Sequence, residues 1–103
     1  MSSQIVIEPG TDGFAENKDA ARAVRLSTVL PAVTSGHPIV LDFRDVRYAT
    51  QSYVHALIAE ALQKYGERAL DYMEFRNCSP QVKSVIELVV DYSLGGFAEK
   101  RGA

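Results

Sequence analysis

The sequence predicts an α/β fold in which a mostly parallel central sheet is joined by helical crossovers. Three observations carry this reading: strand-like and helix-like segments alternate along the chain, 38–43 is apolar on both faces for most of its length, and Thr50 and Ser79 mark two helix starts with hydroxyl caps. Alternation implies parallel neighbours, because parallel strands need a long connection between them. With 103 residues, 47% of them hydrophobic and 23% charged, the chain has the composition of one globular domain. A single core suffices at this size without disulfides or metal. One domain is expected over 1–94. A loosely held tail is expected over 95–103, where Gly95-Gly96 breaks the pattern and no apolar period follows.

In order, Gln4-Ile5-Val6-Ile7-Glu8 is a short β-branched strand closed by Pro9-Gly10. The polar stretch 11–18 reads as a loop. From Asp19, apolar residues Ala20, Ala23, Leu26, Leu30 and Val33 recur at helical intervals, and Pro31 either stops this helix near Leu30 or kinks it before Thr34-Ser35-Gly36. Residues 38–43, Pro-Ile-Val-Leu-Asp-Phe, read as the middle strand, covered by helices on each side. A second helix is expected over 51–65, with Thr50 as N-cap, Val54, Leu57, Ile58, Ala61, Leu62 and Tyr65 as its buried stripe, and Gly66 as its stop. Leu70 to Phe75 has strand character. Ser79-Pro80 then starts a third helix, whose face is Val82, Val85, Ile86 and Val89 and whose end falls near Tyr92 or Leu94.

Charge and composition exclude several functions. Eleven basic against thirteen acidic residues give a net charge of -2, and the basic residues are scattered singly, which is the wrong pattern for a nucleic-acid groove or a basic membrane-binding helix. Met1-Ser2-Ser3-Gln4 lacks the start of a secretory signal and the apolar runs are short, so the chain is expected in the cytoplasm. The one cysteine, Cys78, has no partner for an internal disulfide and no flanking cation or base, so it reads as a small buried residue and not a nucleophile. There is no phosphate loop, no metal-ligand cluster and no Gly-x-Ser-x-Gly elbow. No catalytic residue, cofactor or metal is assigned.

Two positions stand out. Asp42 places a carboxylate in the most apolar strand; it either pairs locally near the strand's carboxyl end or sits where open parallel sheets hold their ligands. Residues 46–53, Val-Arg-Tyr-Ala-Thr-Gln-Ser-Tyr, join that strand to the best helix and bring hydroxyls to its first turn, where free amides and the positive dipole end favour negative charge. Thr50 there accepts a capping bond from the amide of Ser52 or Tyr53, and a phosphate on Thr50 or Ser52 would be tolerated. His55 points off the stripe, as an exposed or edge residue or a partner contact.

The run 39–46, Ile-Val-Leu-Asp-Phe-Arg-Asp-Val, followed by Thr50-Gln51-Ser52-Tyr53, resembles the STAS superfamily, which includes the anti-sigma factor antagonists. More narrowly it is similar to small bacterial STAS-like domains of unknown function. Residues 75–80 and 82–86 look like that group's last strand and helix, so the resemblance spans most of 18–93. In the antagonists the corresponding loop reads Asp-Ser-Ser-Gly, and a serine in it is phosphorylated by a kinase that doubles as the anti-sigma factor. Those positions fall on Thr50, Gln51, Ser52 and Tyr53, so Ser52 retains the second serine while the acid, first serine and glycine are replaced.

The resemblance implies a non-enzymatic, regulatory protein-interaction module with no cofactor. Its partner would be a kinase-like ATPase or an anti-sigma factor, docked on Arg47, Tyr48, Thr50, Gln51, Ser52, Tyr53 and His55, with Ser52 as the switch position. Alternatives are an adaptor or inhibitor, for example phage or defence related, that keeps only the scaffold, and a minimal enzyme or nucleotide-binding protein using Asp42 and Ser52. The amino-terminal edge strand and five tyrosines leave a homodimer open.

Overall fold

A computed structural model describes residues 3–95; of the tail expected over 95–103, residues 96–103 lie outside them. Strand β1 (Ser3–Val6), β3 (Ile39–Asp42) and β5 (Met73–Arg76) form a parallel sheet in the order β1-β3-β5, so the apolar run is the central strand. The register aligns Ile5, Leu41 and Phe75 on one face and Gln4, Val40 and Glu74 on the other. Two further strands, β2 (Phe14–Ala15) and β4 (Tyr48–Ala49), make a second parallel pair that no sequence pattern signals.

Helix α1 occupies 18–35, α2 occupies 51–65 and α3 is Pro80–Ser93. All three lie on one side of the sheet, not on each side as expected. Right-handed crossovers that step steadily from β1 to β3 to β5 put their helices on the same face. The core accordingly gathers Ile39, Leu41 and Phe43 with Val29, Val54, Leu57, Ile58, Leu62, Val82 and Val89. Val40 is outside that core, and its register neighbours Gln4 and Glu74 are exposed.

Helix α1 does not stop at Leu30, and of the expected stripe only Leu30 and Val33 pack on the core. It runs to Ser35 and closes on Gly36, whose φ of 73° is the left-handed cap that glycine takes without strain. A π-turn at Arg25–Val29 precedes Pro31, with the Leu30 amide bonded to the Arg25 carbonyl, so the helix is already widened where the proline ring arrives. A π-turn spends one residue more than an α-turn. Counting back from Val33, this slides the buried face to Val29, Val24 and Ala21, while Ala20, Ala23 and Leu26 face solvent. Helix α2 has its own π-turn at His55–Ala59, and the two wide turns meet: the Arg25 guanidinium donates to the Ala56 carbonyl at 3.4 Å and lies 3.5 Å from Glu60.

Gly66 ends α2 as expected, but Gly66–Tyr72 is a 3-10 segment and the strand begins only at Met73. Ser79 caps α3 by accepting from the Val82 amide at 3.2 Å, with Pro80 in the first turn. No helix among the described residues is long and apolar enough to cross a membrane.

Candidate functional site

The link from β3 to α2 is held on both sides. On one side it pairs with β2: Phe14 aligns with Tyr48 and Ala15 with Ala49, flanked by bonds from the Arg47 amide to the Gly13 carbonyl (2.8 Å) and from the Thr50 amide to the Ala15 carbonyl (3.0 Å). Gly13 adopts a φ of 79°, and a Cβ there would stand 2.8 Å from Arg47 Cγ, so only glycine fits on both counts. On the other side, α3 supplies side chains in place of a strand. The Gln81 amide donates to the Ala49 carbonyl and its oxygen accepts from the Ala49 amide, each at 2.9 Å. The Ser79 hydroxyl donates to the Arg47 carbonyl at 3.2 Å while capping its own helix. A two-residue strand needs such support, because it closes too few ladder bonds to offset its own ordering.

The outer surface of this pair carries a stacked aromatic couple. The rings of Phe14 and Tyr48 lie 5.4 Å apart at 24°, and each side chain is more than two-fifths exposed. Phe14 was absent from the residues the sequence nominated. A lone aromatic in a glycine-containing polar stretch carries no periodic signal, and only the β2–β4 pairing brings it beside Tyr48.

Thr50 is extended and caps α2, accepting from the Tyr53 amide at 3.1 Å; its hydroxyl also meets that of Ser52 at 3.3 Å. Gln51 and Ser52 are exposed in the first turn, next to exposed Arg47 and Tyr48. His55 is exposed too and is turned toward α3, where Nδ1 meets the Tyr92 hydroxyl at 2.9 Å and the rings stack at 5.7 Å. Tyr53 departs from the expected patch. It is 2% exposed, and burial pushes its phenol pKa up. The extra residue of the His55–Ala59 turn widens the buried arc of α2, bringing Tyr53 to the core beside Val54.

Asp42 pairs locally. One carboxylate oxygen accepts from the Arg44 amide (2.9 Å) and the Asn77 side chain (3.0 Å), the other from Gln4 (3.0 Å). The Asn77 bond holds its pKa below the ordinary carboxylate value; burial opposes this, while the Arg44 amide, the Arg44 charge and Gln4 add to it. Asn77 reaches this position from a left-handed φ of 59°, which asparagine accepts better than most residues. Cys78 is half-buried, and burial followed by the nearby Asp42 charge pushes its thiol up, against a smaller pull from Lys83. That is the opposite of nucleophile activation. Among the described residues, no three His, Cys, Asp or Glu side chains gather in a metal-binding arrangement.

A family model described as a STAS-like domain of unknown function matches residues 20–83. The chain belongs to this family. The match runs from the first turns of α1 to the first turn of α3, so it takes in the central strand, the link, all of α2 and the Ser79 cap. It leaves out β1 and β2, and therefore Phe14, so half of the aromatic couple on this STAS-like domain lies beyond the matched region. No curated protein and no solved structure matches the chain.

Proposed function

We propose that this STAS-like domain is a non-enzymatic protein-interaction module, resembling an anti-sigma factor antagonist, that docks a kinase-like ATPase or anti-sigma factor through 46–55. The observation that supports this most is the braced link itself. Backbone bonds from β2 and side-chain bonds from α3 fix a short segment whose outward side chains, Arg47, Tyr48, Gln51 and Ser52, are all exposed. A pre-ordered surface loses little conformational freedom on binding. Phe14 and Tyr48 provide a large rigid contact with few rotatable bonds, as interface aromatics do. Tyr53, being buried, acts as the anchor under this surface and not as part of it.

Ser52 is the switch position in this reading. Its hydroxyl is exposed in the first turn of a helix, where a phosphate is favoured by the dipole, so modification would leave the fold intact and add charge at the contact. Calorimetric titration of the purified partner into wild type, Ser52→Ala, Ser52→Asp and Phe14→Ala tests this. Ser52→Asp should keep the wild-type melting temperature and weaken binding by about tenfold or more, the effect of an unpaired charge at an interface. Phe14→Ala should weaken it as well. Equal affinities for all four proteins would remove both the switch and the surface.

A further inference from the structure

A shallow, largely open cleft of about 680 Å³ lies beside the link at the carboxyl ends of β3 and β5, lined by Arg44, Val46, Arg47, Asn77, Cys78 and Ser79. Open parallel sheets take their ligands outside these strand ends. The two guanidinium groups are its only charged lining, and among the described residues neither has a carboxylate within 4.0 Å. The cleft's other polar groups are committed elsewhere. The Ser79 hydroxyl donates to the Arg47 carbonyl, and the Asn77 amide donates to Asp42.

The neighbouring carboxylates answer these cations only in part. The Asp42 charge is felt by Arg44 and at Cys78, but its two oxygens are engaged by Arg44 N, Asn77 and Gln4 and form no ion pair within 4.0 Å among the described residues, and Asp45, although it stands between the two arginines in sequence, is not part of the lining. Arg47 is also placed in advance. Its backbone is fixed at both ends by Gly13 and Ser79, and its aliphatic stem lies against Gly13, in the space a Cβ would need.

We propose that this cleft binds a phosphate group, free or carried by a small phosphate ester, through Arg44 and Arg47. The planar fork of a guanidinium matches phosphate oxygens in paired hydrogen bonds, and two of them balance a dianion. Val46 and the Cys78 side chain give the remaining wall an apolar character that an ester's organic part would meet. Arg47 is shared with the proposed docking surface, but phosphate binding is read without any partner and so can fail or hold independently of docking.

The test is an amide NMR titration of the full chain with sodium phosphate and, separately, glycerol 3-phosphate, against sodium chloride at matched ionic strength. The variants are Arg44→Gln, Arg47→Gln and, as a control at the opposite strand ends, Arg68→Gln; all three side chains are exposed, so the fold should hold and its spectrum confirms it. Saturable shifts confined to 43–48 and 76–80 are expected, with affinity reduced roughly tenfold by Arg44→Gln or Arg47→Gln and unchanged by Arg68→Gln. Tighter binding of the ester identifies an esterified ligand, and tighter binding of phosphate identifies the free anion. Shifts spread over the basic residues generally, an equal loss with Arg68→Gln, or no saturable response to either probe would overturn the proposal.

Discussion

Replacing Gln81 by leucine should unfasten the link while changing little else. The side chain makes two bonds of 2.9 Å to the amide and carbonyl of Ala49, a residue with no exposed surface, and both groups point away from β2. Two ordinary bonds are worth about 1–3 kcal/mol together, and leaving two buried backbone groups unpaired costs about 2–6 kcal/mol. Because the site lies near the surface and water can reach part of it, we expect a loss of about 2–4 kcal/mol, out of the roughly 5–15 kcal/mol that holds a domain of this size. Urea denaturation followed by circular dichroism measures it, and Tm should fall by about 4–8 °C per kcal/mol. Gln81→Glu separates the two bonds. The new carboxyl still accepts from the Ala49 amide, but once ionised it faces the Ala49 carbonyl without a proton to donate. Its folded-state pKa is therefore raised, so this variant should be closest to wild type below about pH 4 and fall behind as pH rises. In both variants the Ala49 amide should exchange with solvent faster. A loss under about 0.5 kcal/mol from Gln81→Leu, with Ala49 exchange unchanged, would refute the brace.

Leu57 is fully buried in α2, so Leu57→Ala should cost about 2–5 kcal/mol by urea denaturation. Ser79→Ala removes both the α3 cap and the bond to Arg47, and should cost about 0.5–2 kcal/mol, with faster exchange at the Val82 amide as its local sign. Asp42 has a depressed folded-state pKa, so its stabilisation is present above the unfolded value near pH 4 and is lost as pH falls through the folded value. Asp42→Asn should flatten that acid limb in a series of denaturation curves, and an unchanged limb would show that the Asn77, Arg44 and Gln4 bonds do not favour the charged form.

Much of the fold was legible because strong local signals agreed with tertiary demands. Thr50 and Ser79-Pro80 start their helices as their chemistry dictates, and the α2 stripe from Val54 to Tyr65 packs as its spacing implies. The misses have definite causes. Helix α1 is apolar around much of its girth, so two stripes fit the same interval, and the π-turn before Pro31 selects the one through Ala21 and Val29. Strands β2 and β4 are two residues each, too short for an alternating pattern, and exist through the Gly13–Arg47 and Gln81–Ala49 bonds, each of which joins segments distant in sequence. Tyr53 reads as an interface aromatic because aromatic identity alone does not tell a helix's inner side from its outer one. The placement of Thr50, Gln51 and Ser52 was legible where a cap fixes their geometry, and that of Phe14 was not, because only long-range pairing brings it beside Tyr48.

The sheet face away from the helices has a bearing on solubility. Val40 is the central strand's apolar residue there, and Gln4 and Glu74 stand on either side of it in register, while Asp42 and Arg76 continue the row beyond Val6. Val40, itself buried, is thus flanked by the exposed Gln4 and Glu74, and no continuous oily area forms across the three strands. Glu74 and Arg76 hold one another at 2.6 Å along the outer strand, which keeps a charged border on an otherwise open edge. A sheet face without such polar groups would invite stacking on its neighbours. Here the spacing of a few polar side chains acts as a gatekeeper against strand-on-strand stacking.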